Sequence, residues 1–403
     1  MNKLFQGFHA ILFTLLISTP LLMMVISKGN TLAFSQISQN FDDQFGFRKE
    51  LITLQSYLTV QLFGDSPRDN VILGRDGWYF RGRGRQRLTD DTVQEYDYVS
   101  DDTAESTTED LFAWKQVLEE RQNYLAERGI PYLFFIAPKK ALIYPEHLPD
   151  SLRERQEKNS PTFLERLNQF LATESSVPTI DLVSILRAAK LERPSENLYL
   201  KTDGHWNSIG AFVAYQAVME RVQELLPETE ISILQRQDFE TEWKQDWAHQ
   251  GFSQQLGFPI VEPFPKLLPL KGNPMRSSLL TSKEWKRAAG NFRDFWLTPN
   301  ILDHNKRHIT ASLSDSSGKP TNYTVALNRK GRPFSTMLLL GDSFLMKLFP
   351  FFSVHSTALL RLRSERDFPT QYFKTNTPKP EVVIQEVSQR YLGVKAPQNN
   401  FTR

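Results

Sequence analysis

The chain has 403 residues, enough for two or three domains. Its 48 Lys and Arg against 46 Asp and Glu leave a net charge of +2, which argues against a dedicated nucleic-acid binder with its basic excess or basic face. The 29 Phe, 12 Tyr and 7 Trp supply a sizeable core and exclude wholesale disorder, while zero Cys excludes disulfides, a thiol nucleophile and a Cys-ligated metal.

A mean hydropathy of −0.41 excludes a polytopic membrane protein and leaves room for one span. Phe8 to Ile26 reads FHAILFTLLISTPLLMMVI, without a charge. As a helix at ~1.5 Å per residue it reaches ~28 Å, close to the hydrocarbon thickness of a bilayer. Lys3 precedes it, which places the short tail inside the cell and exports the residues after Lys28. A cleaved signal peptide is the alternative; the length of the run and the lack of a small-x-small site in ISKGN favour an anchor. The division expected is therefore a tail and signal-anchor over 1–28 and one catalytic domain over 29–403, in a bacterial inner membrane with that domain in the periplasm.

Residues 30–63 space their apolar side chains as an amphipathic helix, which Pro67 ends. VIL and WYF then read as two short strands about a Gly–Arg–Asp–Gly turn, and the polar, acidic stretch 85–109 as a surface loop. A helix from Asp110 to Arg128 puts Leu111, Trp114, Leu118 and Leu125 on one face. IPYLFFIAP is a strand buried on both faces, followed by a helix over Ser160–Ala172. VPTIDLVSIL runs from strand into helix, and Ser208–Leu226 is helical again. This alternation predicts an α/β fold with a mainly parallel sheet between helices. Residues 228–330, rich in Pro, Gln and Trp, interrupt the rhythm as an irregular, β-rich insertion that ends in a hairpin of HITASLSD and NYTVALN. STMLLLGDSFLMKLFPFF returns to strand–turn–helix, and PEVVIQEV supplies a last strand.

Ser343 stands at that strand-to-helix turn, where an α/β sheet exposes a hydroxyl and a helix start offers N–H groups to an oxyanion. It reads equally as a helix N-cap. A second Gly–Asp–Ser, ending at Ser66, follows a helix and precedes Pro67, and reads as a plain turn. A nucleophilic serine needs a base oriented by a third group. His9 lies in the apolar run; His147, His249, His304, His308 and His355 lie in loop or irregular stretches. His304 and His308 share an i,i+4 spacing with no Glu to complete a metal motif. His205, in LYLKTDGHWNSIGAF, follows a short strand beside Asp203, whose carboxylate can hold Nδ1 while Nε2 faces a serine. The alternative is that Asp203 or Asn207 caps the next helix and His205 packs on the surface.

Taken together, FGDSPRDNVILGRDGWYF, FFIAPKKALIYPEHLP, LYLKTDGHWNSIGAF, LLLGDSF and VVIQEVSQRYL resemble the alginate O-acetyltransferase family, AlgJ/AlgX-like with an SGNH-hydrolase-like three-layer fold. The resemblance implies a periplasmic acetyltransferase with Asp203, His205 and Ser343 as its triad and no cofactor or metal. It implies oxyanion or substrate contacts from a tyrosine and an arginine after the serine, for which Tyr391 and either Arg361 or Arg363 are the candidates. The chain leaves no room after Leu392 for a carbohydrate-binding module, which favours the AlgJ-like branch. The implied substrate is an exported polysaccharide, alginate-like or another, and the implied acyl donor a membrane-bound O-acyltransferase-like protein. A carbohydrate esterase using the same residues, and a non-catalytic polysaccharide-binding scaffold, are the alternatives. Trp78, Tyr79, Trp206, Trp243 and Trp247 are candidate sugar-stacking aromatics or, in most cases, core.

Overall fold

The computed structural model describes residues 48–87, 93–97, 107–248, 251–277, 298–302, 309–314, 320–328, 332–364, 366–374, 379–392, 396–399 and 401. The apolar run Phe8–Ile26 lies outside them, as do His249, His304 and His308. Among the described residues no helix is long and apolar enough to cross a membrane.

The amphipathic helix expected over 30–63 is described from α1 (Arg48–Leu58), which widens into a π-helical turn, Thr59–Phe63. Ser56 and Val60 face the body of the protein, and Leu51, Leu54, Leu58 and Leu62 are exposed on the other side. β1 (Val71–Leu73) and β2 (Tyr79–Arg81) pair antiparallel as the turn signal predicts. β3 (Arg83–Arg87) and β4 (Val93–Asp97) form a ribbon where a surface loop was expected. The ladder there is made by backbone groups, which need no apolar pattern to pair. α2 (Thr108–Ala126) opens on a capping box between Thr107 and Asp110 and buries Leu111, Trp114, Leu118 and Leu125.

β5 (Tyr132–Ala137) is buried at every position. α3 (Phe163–Glu174), again with a capping box, precedes the short β6 (Thr179–Ile180), α4 (Leu182–Glu192) and α5 (Ser208–Leu225). β7 (Phe239–Ala248) and β8 (Ile260–Pro269) form a long antiparallel ribbon. β9 (Thr298–Leu302), β10 (Ile309–Ser314) and β11 (Pro320–Leu327) follow, then β12 (Phe334–Gly341), α6 (Leu345–Phe352), β13 (Ser356–Arg363) and β14 (Val382–Ser388).

The main sheet has the order β6-β5-β14-β12-β13-β11-β10-β9. Pairing is parallel from β6 through β13 and antiparallel from β13 out to β9. Residues on both faces of β5, β12 and β14 are buried, so helices cover the sheet on each side and the α/β three-layer arrangement follows. One expectation needs correction. The stretch 228–330 is not set apart as an insertion: β9, β10 and β11 extend the main sheet, and only β7 and β8 make a separate ribbon. The antiparallel pairing of β10 with β11 is the expected hairpin.

Because β5, β12, β13 and β14 run the same way, the residues that leave them gather at one edge of the sheet. Lys140, Ser343, Arg363, Arg390 and Tyr391 all lie there in sequence, at the carboxyl edge where α/β sites form.

Candidate active site

β12 ends at Gly341, and only glycine fits, since a Cβ there would lie 2.6 Å from Oε2 of Glu386 on β14. The chain then turns through Asp342 and Ser343 into α6. Asp342 is buried; its Oδ1 accepts the N–H of Phe344 at 2.9 Å, and its own N–H donates to Glu386 at 2.9 Å. Ser343 is exposed and does not cap the helix, which has no side-chain cap. Its hydroxyl lies instead 2.7 Å from Nε2 of His205.

His205 arrives from the turn Leu200–His205, closed by an isolated bridge between Tyr199 and Trp206. Asn207 caps α5 by accepting from the N–H groups of Ile209 and Gly210, which frees Asp203 for another task. Oδ1 of Asp203 accepts from the His205 backbone N–H at 2.8 Å and lies 2.5 Å from its Nδ1. Nδ1–H donating to that carboxylate leaves Nε2 as the acceptor facing Ser343. Burial alone pushes Asp203 upward, but the hydrogen bonds and charge of His205, with the charge of Lys140, outweigh it and hold the carboxyl at about 2. Serine hydroxyl, imidazole and carboxylate thus form one unbroken chain, able to take a proton from the serine as it attacks a carbonyl.

A buried ionic cluster supports the nucleophile turn from behind. Arg361, on β13, donates through Nη2 to the carbonyl oxygens of Asp342 and, at 3.3 Å, Gly341. Glu386 is fully buried, and burial with the Asp342 charge beside it pushes its carboxyl well above the usual range. Half-buried Arg390 donates to Oδ2 of Asp342 at 3.2 Å and to the hydroxyl of Tyr391 at 2.5 Å.

The structure therefore brings Asp203, His205 and Ser343 together. Arg361 lies behind the nucleophile with its guanidinium turned to backbone carbonyls, whereas Arg363, opposite Gly341 in the parallel register, is exposed at the edge of the site. Tyr391 is buried and joined to the nucleophile turn through Arg390. Ser66 makes a local turn, its hydroxyl donating to the carbonyl of Arg68. Of the candidate sugar-stacking aromatics, Trp206 is core and Trp78 is core between Tyr144 and His147; Trp243 is 56% exposed. Lys140, Glu262, Glu386 and Arg390 were not singled out from the sequence. The first two flank the turn Leu200–His205 from the short helix after β5 and from β8, both distant from it in the chain, and no local pattern marks them.

Residues 71–263 match the SGNH hydrolase-like domain of the acetyltransferase AlgX. Just under half of the chain thus resembles an AlgX-type SGNH hydrolase-like domain. Its similarity to the probable alginate O-acetylase AlgJ of Pseudomonas aeruginosa is 27% identity over 235 residues, 57% of this chain and 51% of that protein. For the AlgJ of Pseudomonas syringae pv. tomato it is 27% over 190 residues, 47% and 42%. The chain thus spans about half the length of the curated relatives it matches. Superposition on the O-acetyltransferase domain of Pseudomonas putida AlgJ covers 82% of this chain and 94% of that one, at 18% identity and a TM-score of 0.42. The matched stretch of the AlgX-type domain includes Asp203 and His205 and stops short of Ser343, so the place of the serine rests on geometry.

Proposed function

We propose that the protein is an O-acetyltransferase that moves an acetyl group through Ser343 onto hydroxyls of an exported, alginate-like polysaccharide. The observation that carries this reading is the hydrogen-bonded chain from Ser343 through His205 to Asp203, on a chain whose residues 71–263 match an AlgX-type SGNH hydrolase-like domain. His205 takes the Ser343 proton as Oγ attacks the acyl carbonyl. The backbone N–H of Ser343, just ahead of α6, receives the developing oxyanion, with exposed Arg363, opposite Gly341 in the parallel register, a candidate side chain. The Phe344 N–H is held by Asp342. The leaving group departs with the proton from His205, giving acetyl-Ser343. A sugar hydroxyl, deprotonated by His205, then attacks the ester, and Ser343 recovers its proton.

The apolar run Phe8–Ile26 anchors this domain outside the cytoplasm, away from acetyl-CoA, so the acetyl group reaches Ser343 from a membrane-bound O-acyltransferase-like donor. The test is incubation of the protein with an activated acetyl ester, with and without oligosaccharides of mannuronate and guluronate. A mass increase of one acetyl on Ser343, followed by transfer to sugar, is expected. Acetate release with no acetylated sugar would make it an esterase, and absence of both adduct and acetate would overturn catalysis at Ser343 altogether.

A further inference from the structure

Lys140, the residue that opens the short helix after β5, has no part in the chemistry above. It is only 3% exposed. Its Nζ donates to the carbonyl oxygens of Leu200 at 2.8 Å, Lys201 at 2.7 Å and Asp203 at 2.8 Å. An ammonium has three N–H donors, and each is matched by a carbonyl of one turn. The rings of Trp78, Phe80 and Phe252 surround it with centroids 5.4, 5.2 and 5.3 Å away, faces that attract a cation once water is excluded. A lysine used for packing alone extends its head to water, whereas this one turns inward.

Glu262, on β8, grips the same turn by its donors. Its carboxylate accepts from the N–H of Lys201 at 2.6 Å, the N–H of Thr202 at 2.8 Å and the Thr202 hydroxyl at 2.7 Å. The turn thus has its carbonyls gathered by a buried cation and its N–H groups by an anion.

We propose that Lys140 is a positioning residue for the Ser343–His205–Asp203 chain, its ammonium drawing three carbonyls to one point and so setting the direction in which Asp203 and His205 face Ser343. The proposal rests on Ser343 being the nucleophile. Burial pushes Lys140 down to about 7, opposed by the carboxylates of Glu262 from β8 and Asp203 from the turn. The cation of Lys201 sits 5.9 Å from the Trp78 ring. Loss of the Lys140 proton removes one donor and the cation beside Asp203 together.

The test uses the full chain and a fluorophosphonate that labels nucleophilic serines, followed by intact mass, together with the downfield proton resonance of the His205 Nδ1–H···Asp203 hydrogen bond. Labelling needs neither acetyl donor nor sugar, so it answers whatever acyl chemistry the protein performs. Wild-type protein that keeps the resonance and is never labelled would sink the nucleophile reading by itself. Lys140→Met is expected to label about 10- to 100-fold more slowly and to lose the sharp resonance, as small displacements of catalytic groups do. Lys140→Arg, which keeps charge and donors, recovers part of the rate. A folded Lys140→Met with wild-type labelling and resonance overturns the proposal. If Lys140→Met does not fold, wild-type protein still decides. Its labelling rate should fall again once Lys140 loses its proton, and a plateau continuing beyond about pH 11, where even an ordinary lysine is neutral, overturns the proposal.

Discussion

The indole Nε1–H of Trp206 donates to the carbonyl oxygen of Phe344 at 3.1 Å, and the two rings meet edge to face at 5.0 Å. Each residue follows directly on a member of the candidate triad, Trp206 on His205 and Phe344 on Ser343. Two turns 138 residues apart are therefore clamped beside the atoms that must meet.

Replacing Trp206 with Phe keeps a ring but removes the donor. The carbonyl of Phe344 loses one of its two donors, keeping the N–H of Lys347 at 3.2 Å, and part of the indole volume is lost. A destabilisation of about 2 kcal/mol follows from those two costs. Turnover of an activated ester should fall about 10-fold, because the His205–Ser343 distance is no longer fixed. Urea unfolding and ester kinetics read the two effects separately. A variant that loses stability with wild-type turnover would show the clamp to be core packing alone.

Asp203 is held at about 2 against an ordinary 3.8, so it contributes stability at every pH above the unfolded value. That stability is lost as pH falls from there through about 2. A carbon-detected NMR titration of the Asp203 carboxyl should give a midpoint near 2, and one near 4 would dissolve the pairing with His205. Asp203→Asn, which presents an amide to Nδ1 and favours the wrong tautomer, should lower turnover by about 10³- to 10⁴-fold.

The features legible in the sequence were those with a local signature. MLLL stopping at Gly341 announced a strand and a turn, so Ser343 could be singled out before its partner was known. Asp203 and His205 share one turn, and the turn follows an apolar Leu-Tyr-Leu. The family resemblance offers either Arg361 or Arg363 as an oxyanion or substrate contact, and nothing in the linear sequence separates the two. In the fold Arg361 points at the carbonyls of Asp342 and Gly341. Lys140 and Glu262 are typical surface residue types by composition, and only the packing of the short helix after β5 and of β8 against the turn Leu200–His205 brings them to it, burying Lys140 and half-burying Glu262. β9, β10 and β11 read as an insertion because sheet membership is set by long-range pairing with β13, which leaves no periodic trace.

His355 is buried beneath α5, its Nε2 accepting from the Tyr215 hydroxyl at 2.7 Å, while that hydroxyl accepts the N–H of Leu234. Burial, helped by the charge of Arg332, lowers its pKa from 6.5 to about 4. Above the unfolded value the ring is neutral in both states and stability is independent of it. As pH falls from 6.5 to about 4 the unfolded chain takes a proton that the folded chain refuses, so stability drops, by about 3 kcal/mol at most. Urea midpoints of wild type should decline over that window. His355→Gln, which keeps an acceptor for Tyr215 but cannot titrate there, should start lower and decline less. Parallel slopes for the two proteins would place the acid sensitivity elsewhere.

Gly251 has φ 67° and ψ −135°, a region that side chains disfavour, and a Cβ there would lie 2.3 Å from Oδ2 of Asp203. Phe252, the next residue, donates its N–H to the carbonyl of Thr202 and adds a ring to the cage around Lys140. Gly251→Ala therefore strikes the carboxylate without altering any group that takes part in proton transfer. Backbone strain costs about 1–3 kcal/mol of stability. Displacement of Asp203 should weaken the Nδ1–H hydrogen bond, so turnover falls by more than the loss of folded protein explains, about 10-fold or more per folded molecule. Gly257→Ala is the control, since Gly257 also has a positive φ, 80°, but nothing lies within 4 Å of the added carbon. It should lose comparable stability and keep its turnover. Equal turnover per folded molecule in the two variants would mean that Asp203 tolerates the push and that the site is less rigid than its hydrogen bonds imply.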